Sequence, residues 1–349
     1  MDEKNPKILF FGAGVIGGSV AGWIAPHYEN LFLLDQGATA AALKQNGITL
    51  YWGDAPDSRQ NVRVSVIDSI EQAADADIIV LGVKNYSLEP VAKMLREKTD
   101  GRAVVVSMAN GIVNQEILPR YFSRVIYCVV SYNAWMDEPG VIGFQKKGPL
   151  IIGTPDNSLQ AELKLVSDIF NRAVETVVTP HLQDAVHCKI VINLTNSVTT
   201  LVGHRFREIS DPAAFQRILS SLLYEGVEIV KAAGYRECKL GGMPSWAILW
   251  LGAKLPRLVT KPLFDRNVKK MVMSSMAQDV LQRGGKENEL ETINGYIVGL
   301  ADRLGMKAPV NRTIYEMCRR EFSRPGFKPL DVKDVWAEIK KAMTPDART

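Results

Sequence analysis

Along the first half of the chain, short apolar runs alternate with amphipathic ones. Lys7–Phe11, Leu31–Leu34, Asp77–Val83, Ala103–Met108 and Val125–Val130 are rich in Val, Ile, Leu and Phe. Short, near-continuous apolar runs suit strands of a parallel sheet buried on both faces. The stretches between them, Ser19–Ile24, Ala38–Gln45, Ser87–Glu97 and Val113–Leu118, have the spacing of crossover helices. An alternation of this kind predicts a doubly wound parallel sheet.

The pattern changes after Met136-Asp137-Glu138-Pro139-Gly140. Val141–Phe144 and Leu150–Gly153 read as a hairpin, followed by a helix over Gln160–Arg172, and the sheet is expected to end near Pro180. From Leu182 onward the period lengthens to that of helices: Asp184–Val202, Ala213–Ala233, Val268–Leu281, Glu289–Leu304 and Val310–Arg320. The expected organisation is an α/β domain over residues 1–180 and an all-helical domain over 181–349. The 349 residues agree, since about 150 per domain gives roughly two. No internal repeat or low-complexity segment stands out.

Composition narrows the classes. Hydrophobic residues make up 46% and charged residues 23%, an ordinary globular balance. The 42 basic against 38 acidic residues leave a net charge of +4, too small and dispersed to require a nucleic acid. Cys128, Cys188, Cys238 and Cys318 form no CxxC pair and no metal-type set, and are read as reduced core thiols. The start, Met1-Asp2-Glu3-Lys4, lacks the basic, then apolar, pattern of a signal peptide. Trp246–Leu251 is far short of the roughly 20 residues a membrane span needs. A cytoplasmic setting without membrane span or metal follows as the expectation.

Gly12-Ala13-Gly14-Val15-Ile16-Gly17 satisfies GxGxxG directly after an apolar strand and at the opening of a helix. In a Rossmann dinucleotide fold the first Gly permits the tight turn, the second lets backbone approach a pyrophosphate, and the third lets helix and strand pack closely. The phosphates then sit at the helix N-terminus. Asp35 ends the second strand, where a carboxylate accepts hydrogen bonds from the ribose hydroxyls of NAD and repels a 2′-phosphate. The competing reading makes it a surface residue opening the Asp35-Gln36-Gly37 turn.

The helix opening the second domain, HCKIVINLTNSVTTLVG, has one charged residue between His187 and His204, namely Lys189. At about 100° per residue, Lys189, Asn193, Ser197 and Thr200 share a stripe on an otherwise apolar helix. Such a stripe lines a cleft or faces water. Asn110, after the strand Ala103–Met108, lies at a carboxyl end of the sheet, where open α/β sheets bind ligands. Trp246, Leu249, Trp250 and Ala253 share a helical face, with Lys254, Arg257, Lys261, Lys269 and Lys270 following. The favoured reading is a lid or subunit contact, since interfaces favour Trp; a membrane-surface helix has a similar pattern.

The motifs taken in order resemble those of the ketopantoate reductase (2-dehydropantoate 2-reductase) family, from the Gly motif to about Arg320. They are GAGVIGG, VKNYSLEP with Lys84, ANG with Asn110, EPGVIGF, KIVINLTNSVTT with Lys189 and Asn193, SSMAQD with Ser275, and ELETINGYIV with Glu289. The resemblance implies reduction of 2-dehydropantoate to pantoate in pantothenate biosynthesis, with an active site between the domains and a homodimer. By position, Lys189 is the general acid, Asn193 and Ser197 bind substrate, Asn110 touches cofactor and substrate, and Ser275 holds the substrate carboxylate. Glu289 is the carboxylate of the cleft, assigned to catalysis and the cofactor side; Lys84 is the lysine of the cofactor side.

Hydride addition to a ketone creates an alkoxide, and a lysine whose pKa burial lowers can supply its proton near neutral pH. Three departures qualify the transfer. Asp35-Gln36 stands where the family carries an NADP-selecting Arg, so this residue argues for NADH against a family habit of NADPH. Ser197 stands where the family commonly has Asn, and residues 241–270 are longer and richer in Trp. Two other readings are a family member acting on another 2-oxo or hydroxy acid, and a non-catalytic dinucleotide sensor. Against the sensor stands the intact Lys189, Asn193, Ser275 and Glu289 set.

Overall fold

The structure, a computed structural model, describes residues 5–239, 244–282, 284 and 287–344. The chain divides into two compact units, Met1–Val186 and His187–Thr349. Among its described residues the first holds twelve strands, β1 (Ile8–Phe11), β2 (Leu31–Leu34), β3 (Ile48–Trp52), β4 (Ala55–Val62), β5 (Ser65–Val66), β6 (Ile78–Leu81), β7 (Val104–Ser107), β8 (Val125–Val130), β9 (Ala134–Glu138), β10 (Val141–Phe144), β11 (Leu150–Gly153) and β12 (Thr176–Val178).

Eight of them form one sheet in the order β12-β11-β8-β7-β6-β1-β2-β5. From β8 to β5 all neighbours are parallel; β11 runs antiparallel to β8. The apolar runs fall on these strands because both faces are covered. Every residue of β6, β7 and β8 is buried, and Phe10 of β1 stacks on Phe170 with ring centroids 6.4 Å apart. The helices Val15–Ile24, Gly37–Asn46, Asn85–Lys98, Val113–Ile117 and Gln160–Phe170 provide the covers and match the expected stretches, each within four residues at its ends. The chain crosses from β2 to β6 on the far side of β1, which creates a topological switch beside β1.

The expected hairpin is corrected. Its two strands exist, but β10 and β11 lie in different sheets. β10 pairs antiparallel with β9 and parallel with β3, in a four-stranded sheet ordered β4-β3-β10-β9. The turn is Pro139-Gly140, with Gly140 at φ +81, a conformation that costs glycine little. All four residues of β11 are buried, which suits the interior of the large sheet rather than a two-stranded ribbon.

Described helices of the second part include Leu182–Asn193, Thr195–Val202, Pro212–Ala232, Trp246–Lys254, Arg257–Lys270, Tyr296–Arg303, Pro309–Phe322 and Val332–Met343. The chain thus pairs a doubly wound sheet with a helical C-terminal region, as its sequence implies. Two continuous helices expected there are interrupted. The Asp184–Val202 stretch breaks at Leu194, whose N–H is shared between the carbonyls of Ile190 (3.1 Å) and Val191 (3.2 Å). The Val268–Leu281 stretch ends one helix at Lys270 and begins another turn at Ser275, where Ser274 Oγ accepts the Ala277 N–H at 3.1 Å. A serine that caps a new N-terminus ends periodicity without altering it. Cys128, Cys188 and Cys318 are buried, whereas Cys238 is half-exposed and so departs from the core reading.

Among the described residues, no helix is long and apolar enough to cross a membrane. Of the Trp-rich segment 241–270, residues 241–243 lie outside those described, and the described part holds two helices, Trp246–Lys254 and Arg257–Lys270. Leu249 is buried and Lys231 lies over the Trp246 ring at 5.6 Å, which anchors the first helix to its own unit. Ile248, Trp250, Leu251, Leu258, Val259 and Leu263 remain exposed, Leu258 to 91%.

Candidate functional site

In the first unit the sequence-chosen residues gather at the carboxyl edge of β1, β2, β6 and β7. Backbone bonds hold the loops there level: Gly12 N–H donates to Leu34 O at 2.9 Å, Gly82 N–H to Phe11 O at 2.9 Å, and Met108 N–H to Leu81 O at 3.1 Å. Gly12 sits at φ +92, and a Cβ on it would press on Val83 Cγ1 and Gly82 C at 3.0 and 3.1 Å. A Cβ on Gly17 would run into Gly12 O, so the helix can approach the strand only without one.

Gly14 differs: a Cβ there would meet no atom within 4 Å. It is the N-cap of the helix Val15–Ile24, which has no side-chain cap and no acidic residue in its first turn. Gly14, Val15 and Ile16 therefore present backbone at a helix N-terminus that suits an anion, while Ala13 spends its N–H on Asp35. Asp35 turns toward this loop. Its Oδ2 accepts the Ala13 N–H at 2.6 Å and its Oδ1 accepts the Gln36 N–H at 2.7 Å, so it both braces the Gly loop and opens its own turn. Lys84, half-buried, is the N-cap residue of Asn85–Lys98. Asn85 Nδ2 donates to Asn110 O at 2.7 Å, and Asn114 Nδ2 to Ala109 O at 3.0 Å, which draws the loop carrying Asn110 against the end of β6.

In the second unit the polar stripe is turned inward. Asn193 is 8% exposed, Ser197 and Thr200 are fully buried, and Lys189 is half-buried, so the stripe is no solvated face. Ser197 Oγ donates to Leu194 O at 2.7 Å and accepts from Asn294 Nδ2 at 3.0 Å. Thr200 Oγ1 lies 3.4 Å from Ser274 Oγ, beside half-buried Ser275. The stripe thus meets two of the other motifs, SSMAQD and ELETINGYIV. Glu289 is 4% exposed, and its carbonyl accepts from Ile293 N–H at 3.1 Å and Thr292 Oγ1 at 3.2 Å.

Asn294 is the residue that sequence reasoning passed over. It is fully buried, its Nδ2 is spent on Ser197, and its Oδ1 has no hydrogen-bond partner. It lies on a π-helical turn, Glu291–Gly295, and a second π-helical turn, Gln278–Gln282, follows Ser275. Such turns recur at functional sites because they re-aim side chains. In the sequence Asn294 falls inside the helix expected over Glu289–Leu304 and inside the motif ELETINGYIV, with nothing to single it out.

A cavity of about 620 Å³ opens elsewhere in the second unit, between His204, Arg205, Arg207, Phe215, Phe264 and Lys269. None of the residues assigned to catalysis, substrate or cofactor lines it. Its two arginines have structural work: Arg205 donates to the carbonyls of Met271 and Lys269, each at 2.8 Å, and Arg207 to those of Val202 and Leu330. Burial and the neighbouring Arg205 hold the His204 imidazole below its usual range.

Comparison with known proteins gives a consistent result. The family profile described as "Ketopantoate reductase PanE/ApbA" matches residues 8–157, and "Ketopantoate reductase PanE/ApbA C terminal" matches residues 181–321. The chain is 27% identical over 315 residues to the 2-dehydropantoate 2-reductase of Archaeoglobus fulgidus, covering 90% of this chain and 97% of that protein. Among solved structures it is similar to a PanE/ApbA family ketopantoate reductase from Ralstonia eutropha JMP134 (TM-score 0.69, 21% identity, 95% of this chain and 99% of that one). It is also similar in fold to D-mandelate dehydrogenase in ternary complex with NADH and anilino(oxo)acetate (TM-score 0.73, 16% identity, 92% and 99%).

Proposed function

Because the chain belongs to the ketopantoate reductase family, NAD(P)-dependent oxidoreductases acting on a CH–OH group, we propose that it reduces 2-dehydropantoate to pantoate. That reaction would place it in pantothenate biosynthesis, in a cytoplasmic setting. The observation that carries the reading is the inward polar stripe: Lys189 half-buried, Asn193 buried on the next turn, and Asn294, Ser274 and Glu289 packed in the same unit.

The residues of the Gly loop fit a nicotinamide dinucleotide. Open space beyond Gly14 and the bare helix N-terminus suit a pyrophosphate, and Lys84 and Asn110 border the same sheet edge. Asp35, held against the loop by Ala13 N–H, is assigned to the adenosine ribose and favours NADH. The bound cofactor supplies the hydride. Lys189 protonates the oxygen as negative charge develops there, and Asn193 and Ser275 orient the 2-oxo acid, Ser275 at its carboxylate. Glu289, buried in the same unit, is assigned as the carboxylate of the cleft, on the side of catalysis and the cofactor. Ser197, buried between Leu194 O and Asn294, positions Asn294 instead of touching substrate.

The test is oxidation of NADH and NADPH, followed optically, against a panel of 2-oxo acids. The reading expects 2-dehydropantoate to be the acid with the highest specificity constant. A different acid preferred by tenfold or more would transfer the activity to another member of the class, and no oxidation with any acid would favour the sensor reading. The homodimer is assigned to the exposed apolar row of Trp246–Lys254 and Arg257–Lys270.

A further inference from the structure

Two thiols meet at the start of the second unit. The helix Leu182–Asn193 presents His187 and Cys188 to residues 235–238, which leave the helix Pro212–Ala232 through Gly234 at φ +90. The His187 ring stacks on Tyr235 with centroids 3.5 Å apart and planes 15° apart, and its Nε2 lies 2.7 Å from Tyr296 Oη. One residue on, Cys188 Sγ accepts the backbone N–H of Cys238 at 3.2 Å, and the thiol donates to Arg236 O at 3.6 Å. The sulfur of one cysteine therefore rests on the backbone of the other.

The two differ in access. Cys188 is 3% exposed, while Cys238 is half-exposed among exposed Arg236, Glu237 and Lys239. A partly exposed thiol is reached by a dissolved disulfide before an enclosed one, so Cys238 is the thiol that reacts first. A disulfide needs an S–S bond of about 2.05 Å and Cβ atoms about 3.5–4.5 Å apart. Cys188 Sγ already lies 3.2 Å from the Cys238 nitrogen, two bonds from the Cys238 Cβ, so side-chain rotation and a small slide of residues 236–238 bring the sulfurs together.

We propose that Cys188 and Cys238 are the two halves of a reversible disulfide, exchanged with low-molecular-weight thiols and disulfides. The Cys238 thiolate attacks one sulfur of a glutathione-type disulfide, breaks its S–S bond and releases one glutathione thiolate. Cys188 then gives up its proton and attacks the Cys238 sulfur, and the second glutathione leaves. The protein loses two thiol protons and two electrons, and the oxidant leaves as two thiols. The bond fixes residues 235–238 to the helical turn that carries Lys189, and a reducing compartment keeps it open.

Cys128 and Cys318 are built-in controls. Both are fully enclosed, burial pushing the first thiol up to about 12 and the second well above its usual range. The experiment incubates the full native chain with oxidised glutathione, traps remaining thiols with an alkylating reagent, and measures intact mass and cross-linked peptides. The expected product has lost two hydrogen atoms and two alkylatable thiols, carries a Cys188–Cys238 cross-link, melts several degrees higher, and reverts with dithiothreitol. Cys238→Ser should show no oxidation at all, and Cys188→Ala should stop at a glutathione adduct on Cys238. A stable glutathione adduct on Cys238 of the unmodified chain, or a cross-link through Cys128 or Cys318, would overturn the proposal. None of these readouts depends on the reductase assignment.

Discussion

Asp35 carries the sharpest claim at the scale of a single residue. Its carboxylate is fixed by two backbone N–H groups, at 2.6 and 2.7 Å, and cannot swing away from the Gly loop without losing both. Beside a ribose diol such a group accepts hydrogen bonds; beside a 2′-phosphate it sets two negative charges together. A tenfold preference is about 1.4 kcal/mol, within reach of one charged contact. NADH should therefore be used with higher kcat/KM than NADPH, and Asp35→Ala should narrow or reverse the ratio. Asp35→Ala also removes the brace on Ala13, so it should weaken NADH without strengthening NADPH to the same degree. If the unmodified protein favoured NADPH tenfold or more, Asp35 would be a brace and a turn residue only.

At the scale of elements, the Gly loop and the helix that follows it act together. Gly14→Val fills the space in front of a helix N-terminus and should weaken both dinucleotides in a calorimetric titration while leaving the helical unit folded; unchanged affinity would remove the cofactor from this loop. A different helix start is capped from a distance. Glu225 accepts from Val310 N–H at 3.1 Å and from Asn311 N–H and Nδ2 at 2.7 and 2.9 Å, so it caps Pro309–Phe322 across the bundle. Glu225→Ala leaves these donors without their acceptor and should cost about 1–3 kcal/mol in denaturant unfolding. Burial outweighs those bonds and raises the Glu225 pKa above the usual 4.5. A raised folded-state value contributes stability that is full below 4.5 and is lost as pH rises through the raised value. Relative to Glu225→Gln, the unmodified protein should therefore lose ground as pH rises from 4.5 toward neutrality; a constant gap would contradict this.

Elements were legible in the sequence where burial on both faces wrote a continuous apolar run, as in β6 and β8. They were not where stability comes from pairing. β4, Ala55–Val62, is polar and largely exposed, and is a strand because it hydrogen-bonds to β3. The site divides in the same way. GxGxxG, Asp35 and the stripe beginning at Lys189 follow from spacing, whereas Asn294 owes its place to a π-helical turn that no periodicity marks.

For the whole molecule, the row of exposed apolar side chains from Ile248 to Leu263 should be covered by a second copy. The inner face, anchored by Leu249, is already spent within the unit, and the outer face is more apolar than a surface helix in water needs to be. Sedimentation should give a dimer, and Leu258→Asp with Trp250→Glu should give a folded monomer. A monomeric unmodified chain would contradict the assignment, and its binding to anionic vesicles would return the row to the membrane-surface reading.

The central claim is that the lysine of the helical unit supplies the proton while dinucleotide binding belongs to the sheet unit. The direct test is the turnover rate of Lys189→Ala with the proposed 2-oxo acid substrate, measured beside its dinucleotide affinity. A positioned general acid contributes about 10² to 10⁴ in rate. The account predicts a loss of that size with dinucleotide affinity nearly unchanged. A variant that kept more than about half of the unmodified turnover, against that expected loss, would contradict it.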